Sequence, residues 1–317
     1  MTRIPEPTQT PDGPQYEGRP LVRVEDEVVD QGAGFDIRTL ISRRGVLSLV
    51  GIGLGAATLA ACAPASSAGS TSTKTPSATK SPTPAASASV AVPAGEIPDE
   101  TAGPYPGDGS NGVDVLTDSG IIRSDIRSSI DAGATAAGVT MALSLTILDA
   151  ANNNAPFENV AVYVWHCDAQ GRYSMYSSGI EGETYLRGVQ VADSHGTVTF
   201  TSIFPACYSG RWPHIHFEVY PAVSDIADSS NAIATSQIAL PENACDSVYA
   251  LADYSGSSTN LSQVSLTSDN VFSDDGGALQ LATVTGDTTS GYSVSLTALV
   301  DTSTTPSAGS ASSGGNR

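Results

Sequence analysis

The run Arg211-Trp212-Pro213-His214-Ile215-His216-Phe217 concentrates the chemistry of this 317-residue chain. In a β-strand, residues i and i+2 point to one face, so His214 and His216 can both reach a single metal ion. Tyr208 lies just upstream. Thirty-five residues before it comes Tyr173, in the stretch Trp165-His166-Cys167-Asp168-Ala169-Gln170-Gly171-Arg172-Tyr173-Ser174. Two phenols and two imidazoles form an unusual donor set.

A phenolate is a hard, anionic, strongly donating oxygen that favours a trivalent ion, whereas imidazole is tolerated by most transition metals. Ferric iron, Fe(3+), is the best match. Zinc would more often recruit Cys or carboxylate beside its His. A ferrous oxygenase would more often combine two His with a carboxylate. Glu218 is the one acid close in sequence that shares the His face, as a replacement ligand or as a group supporting the ligands.

The elements that must hold these residues follow a period of two rather than 3.6. Val139–Leu148 alternates, and Asn159–Trp165, Tyr185–Val191, Thr197–Ile203 and Pro213–Val219 are short β-branched or aromatic runs. Asp149–Pro156, Asp168–Gly171 and Asp193–Gly196 punctuate them as turns. Gln280–Thr285 and Tyr292–Val300 read as a closing hairpin, Asp246–Asp275 as loop, and Ile122–Ile130 as at best a short helix. Many short strands with turn signals indicate an all-β fold, a two-sheet β-sandwich.

With these residues in view, the chain resembles the intradiol ring-cleavage dioxygenases, over about Glu96–Val300. Three blocks carry the resemblance: Thr101-Ala102-Gly103-Pro104-Tyr105, Val164 through Tyr173, and Tyr185-Leu186-Arg187-Gly188-Val189-Gln190-Val191 through His216. The order Tyr, Tyr, Arg-x-x-His-x-His is specific to that family, and the likeness is greatest to its secreted, single-chain branch. The resemblance implies a prealbumin-like two-sheet core and a non-haem ferric ion. Tyr173 and His214 would be equatorial ligands, Tyr208 and His216 axial ones, and Tyr208 would also act as a base. Arg211 matches an arginine beside the reacting carbon, where a guanidinium would stabilise developing charge; the alternative is a surface salt bridge. Gln237 matches a glutamine of the substrate pocket, or is an ordinary strand residue. The implied reaction opens a catechol-type ring between its two hydroxyl-bearing carbons, adds both atoms of O2 and gives a muconate-type product.

Other residues carry weaker signals. His166, on an otherwise apolar strand, reads as structural, and His195, in a turn, as solvated. Tyr105 and Tyr176 either line a pocket or pack. Arg187 would support the ligands from behind.

Ser42-Arg43-Arg44 and the apolar run to Ala61 read as a twin-arginine export signal, with Leu59-Ala60-Ala61-Cys62 as a lipoprotein cleavage site. A plain membrane anchor is the alternative, but the run is short and rich in Gly and Ala. Residues 1–42 form a polar extension, 43–62 the signal, 63–95 a Ser/Thr/Pro/Ala tether, 96–300 the catalytic domain and 301–317 a disordered tail. The protein would thus reach the outer face of a membrane, held there only through Cys62, or be secreted. Removing residues 1–61 takes six Arg from 14 basic residues and eight acids from 33, leaving 8 and 25, a formal charge of −17. Such acidity excludes nucleic acid as a natural partner and favours a neutral aromatic diol over an anionic aromatic acid. Of the remaining cysteines, Cys207 and Cys245 are the expected disulfide, with Cys167 a buried thiol.

Two rivals stay open. A non-catalytic exported sandwich could bind a ligand or metal without turnover, although it would need neither two Tyr nor Arg211. A zinc or copper hydrolase using His-x-His would leave both Tyr unexplained.

Overall fold

Strand β4 (Thr140–Asp149) shows why the chain forms sheets: its burial alternates, with Met141, Leu143, Leu145 and Ile147 inward. Each such side chain contributes on the order of 2 kcal/mol when removed from water. The computed structural model describes residues 8–10, 13–16, 19–20, 91–304 and 306. The expected signal (43–62), nearly all of the tether and most of the tail lie outside these residues. Within the stretch read as a polar extension, β1 (Thr8–Thr10), β2 (Gly13–Tyr16) and β3 (Arg19–Pro20) pair as an antiparallel sheet.

The main body is an all-β sandwich. In one sheet, β4 pairs antiparallel with β5 (Ala155–Pro156) and β8 (Thr197–Ile203), and parallel with β12 (Gly291–Val300), which β11 (Thr283–Asp287) flanks. The other sheet runs β10 (Ala234–Ala239), β9 (His214–Tyr220), β6 (Ala161–Trp165), β7 (Arg187–Val191), antiparallel throughout. Every residue of β6 and β9 is buried. One face of this sheet, with Val162, Val164, Ile215, Phe217 and Val219, belongs to the apolar core. The opposite face is covered by loops.

Two expectations are corrected. Ile122–Ile130 is not a helix: Ile122 bridges Val189 of β7 and Asp125 bridges Thr201 of β8, so backbone pairing with both sheets outweighs the helical spacing of its isoleucines. The stretch expected as loop, Asp246–Asp275, contains the second half of helix α1 (Glu242–Tyr249) and the short α2 (Ser257–Leu261). Ala244, Cys245, Val248 and Tyr249 form the buried stripe of α1. No described helix is long and apolar enough to cross a membrane.

Candidate metal and substrate site

Directly opposed residues of antiparallel strands share a face. The register therefore lays one row across the loop-covered face: Gln237 opposite His216, His216 opposite Trp165, and Trp165 opposite Arg187. His214 lies one pleat away on the same face of β9.

Loops bring the phenols to this row. Tyr173 is 1% exposed and packs against Tyr105, with ring centroids 4.7 Å apart. Tyr208 is only half-buried. Gly171, at φ +79°, lets it approach, since a Cβ there would stand 3.0 Å from the Tyr208 Cβ. Helix α2 pins the preceding residue: Ser257 Oγ accepts the Cys207 N–H at 3.2 Å, and Asn260 Nδ2 donates to its carbonyl at 2.8 Å. These bonds take the place of the expected disulfide. Cys207 and Cys245 are both free and buried, as is Cys167.

Four donor atoms converge. The His214 and His216 Nε2 atoms are 3.1 Å apart, and His214 Nε2 is 3.2 Å from the Tyr208 hydroxyl and 3.4 Å from that of Tyr173. The Trp212 carbonyl can only accept from His214 Nδ1, so the proton resides there and Nε2 presents a bare lone pair. His216 Nδ1 is buried without a hydrogen-bond partner. Its ring is held by stacking on Trp165, and Gly103, at φ +74°, closes over it, with a built Cβ 3.2 Å from Cε1. Ligands at about 2 Å from a common tetrahedral centre stand about 3.3 Å apart, so this donor set fits a cation. Among the described residues no three His, Cys, Asp or Glu side chains cluster for metal binding, so any such centre depends on the phenols.

Burial lowers His214 to about 3, with help from the Arg211 charge, and burial with His214 beside it lowers His216 well below the ordinary range. Both imidazoles are thus neutral lone-pair donors at neutral pH. Burial, and then the Tyr208 phenol, hold Tyr173 well above the usual phenol value, so only a cation would draw off its proton.

Arg211 is buried rather than at the surface. Its Nε donates to Asp269 at 3.0 Å and its Nη2 to Gln237 Oε1 at 2.6 Å, while Gln237 Nε2 donates to the Thr101 carbonyl at 2.9 Å. Asp269, in the Ser/Asp/Asn-rich stretch read as loop, is the residue that sequence reasoning missed. Arg187 lies behind the ligands with every nitrogen engaged, by Ser174, Tyr163 and the Tyr105, Pro106 and Ser174 carbonyls.

The remaining candidates take structural places. His166 bonds the Cys167 carbonyl and Ser202 Oγ through its two nitrogens, and His195 is exposed. Tyr176 accepts the Gly107 N–H and donates to Asn111. Glu218 accepts from the Tyr220 hydroxyl at 2.7 Å, and burial with Asp108 beside it raises it to about 8.

Between residues 91 and 304 the Lys and Arg side chains are Arg123, Arg127, Arg172, Arg187 and Arg211. Arg127 pairs with Asp125, Arg172 with Asp168 and Arg211 with Asp269, while Arg123 and Arg187 are bonded to backbone carbonyls.

Residues 118–223 match the family model described as Dioxygenase, a segment that includes Tyr173, Tyr208, Arg211, His214 and His216 but not Gln237 or Asp269. No curated protein matches. An intradiol ring-cleavage dioxygenase from Tetranychus urticae has a similar structure, at 23% identity and TM-score 0.50, over 67% of this chain and 96% of that one. The dioxygenase Tetur07g02040 is similar at 23% identity and TM-score 0.53, over the same shares. In fold the chain resembles an intradiol ring-cleavage dioxygenase, and across residues 118–223 its sequence matches the Dioxygenase family model.

Proposed function

We propose that this chain is an iron(III)-dependent intradiol dioxygenase acting on an uncharged catechol-type diol, with O2 as co-substrate and a muconate-type product. The observation that carries the reading is the convergence of Tyr173, Tyr208, His214 and His216 beside a buried Arg211 and Gln237. Those four side chains would hold ferric iron. When bound, the ion supplies a Lewis acid that withdraws electron density from a chelated diol.

The residues divide the remaining work. Tyr208, half-buried where Tyr173 is sealed in, is the phenol that incoming substrate can reach, and its oxygen takes a proton from one substrate hydroxyl. Arg211, kept charged by Asp269, stabilises negative charge as the ring gains keto character. Gln237 holds the guanidinium from its other side. Every cation near the site is committed, so a carboxylate on the ring finds no partner. An uncharged ring is the better substrate.

The purified protein reconstituted with ferric iron should show a tyrosinate charge-transfer band that moves to longer wavelength when catechol is added without oxygen. A colourless reconstituted protein would favour a non-catalytic binding module. Tyr173→Phe should impair iron retention, and Tyr208→Phe should lower turnover by removing a ligand and a base. Ring cleavage at full rate in either variant counts against the assignment. Catechol should exceed a ring-carboxylated catechol in kcat/KM by at least about tenfold.

We further propose export by the twin-arginine route with lipid attached at Cys62. Labelled-lipid incorporation that survives Cys62→Ser would refute the attachment.

A further inference from the structure

We propose that Asp269 is a positioning residue for the ring-cleavage reaction, one carboxylate that sets both the Arg211 guanidinium and the peptide that orients His214. The inference rests on the dioxygenase reading of the site. Asp269 is 0% exposed. Its Oδ2 accepts Arg211 Nε at 3.0 Å and the Trp212 N–H at 2.7 Å. Its Oδ1 accepts the Val271 and Phe272 N–H groups at 2.8 and 3.1 Å, and Arg211 Nη2 lies 3.4 Å away.

Two lines leave this carboxylate. One passes through Arg211 to Gln237 and the Thr101 carbonyl. The other passes through Trp212, whose N–H is held by Asp269 and whose carbonyl holds His214 Nδ1. A buried guanidinium with a free choice of partners would settle against any acceptor in reach, including a phenolate. Asp269 removes that choice by occupying Nε and bordering Nη2. Its own backbone N–H donors keep the carboxylate in place, because both lie in the turn that follows it. Burial opposes ionisation of Asp269, yet the Arg211 charge and its hydrogen bonds hold it below the usual carboxylate range.

The test is a double-mutant cycle on the iron-loaded protein with catechol, using Asp269→Asn, Arg211→Met and both together. Asp269→Asn should lower kcat by about tenfold or more while KM changes less than about threefold. The double variant should lose at least about fivefold less than the product of the single losses. Losses that multiply independently would overturn the proposal. Should Asp269→Asn fail to fold, Asp269→Glu serves instead, and wild-type kcat in that variant would overturn it. A second readout needs no turnover: imidazole nitrogen NMR of the metal-free protein should show His214 protonated only at Nδ1 in the wild type and as mixed tautomers in Asp269→Asn. A wild type that cleaves no catechol defeats the dioxygenase reading alone, and an unchanged His214 tautomer then defeats the positioning role as well.

Discussion

Trp165 and His216 lie ring on ring, with centroids 4.8 Å apart and planes 7° from parallel. Their strands place them directly opposite each other. The two site imidazoles are therefore held by different means, His214 by a carbonyl and His216 by an aromatic face.

Trp165→Leu removes the surface that fixes the His216 ring angle. Stability should fall by about 3 kcal/mol from the lost packing. Iron retained after dialysis should fall several-fold, whereas Trp165→Phe should keep most of it. Thermal melts and iron analysis separate the two effects, and equal iron content in both variants would assign the stack to packing alone.

Arg187 donates through all its nitrogens to groups on the Tyr105–Pro106 segment, on Ser174 and on Tyr163. Lysine offers three donors from one point and cannot span that fork. Arg187→Lys should cost on the order of 3 kcal/mol and loosen Tyr173, one residue from Ser174. Chemical unfolding, with the tyrosinate band as reporter, measures both.

Acid should destabilise the metal-free protein earlier than its carboxylates alone would dictate. His166 and His214 are lowered to about 4 and about 3, in each case chiefly by burial. Their folded values lie below the unfolded one, so the unfolded state gains protons first. The stability they contribute is full above about pH 6.5 and is lost as pH falls toward 4 and then 3. Urea titrations at several pH values should show this slope, and His166→Gln should flatten part of it.

Glu218 gives the opposite slope. Burial and Asp108 raise it to about 8, above its unfolded value of 4.5, so its contribution is full below pH 4.5 and is lost as pH rises through 8. Glu218→Gln can still accept from Tyr220 and remains neutral. At pH 8 the variant should be more stable than the wild type by on the order of 2 kcal/mol, with little difference at pH 5. An unchanged pH profile would show that Glu218 is ionised in the folded state.

The strands were legible because their apolar residues alternate, and the His214 and His216 pair could be read from the same period. Tyr173, Tyr208, Arg211 and Gln237 do gather at one place. Asp269 was not legible, since Ser265–Asp275 has the composition of a solvated loop and only packing reveals a wholly buried carboxylate. Trp165 stood in an apolar strand and looked like core; its partner is 51 positions away in the chain, at His216. The cysteine pairing failed because connectivity cannot be deduced from spacing: Cys167, Cys207 and Cys245 are all free and buried, and the Cys207 backbone is held by Ser257 and Asn260. Ile122, Ile126 and Ile130 have helical spacing, yet the edges of two sheets claimed their backbone.

The row Gln237, His216, Trp165, Arg187 has a consequence for how errors are sorted in this protein. On β9, His214, His216, Glu218 and Tyr220 alternate with Ile215, Phe217 and Val219. A slip of one residue would drive the imidazoles into the apolar interior and turn Phe217 toward the loops. Misassembled chains are thus rejected by solvation long before chemistry can test them. Variants with graded activity should accordingly arise in the covering loops that carry Tyr173, Tyr208 and Asp269, where change is not vetoed by the sheet.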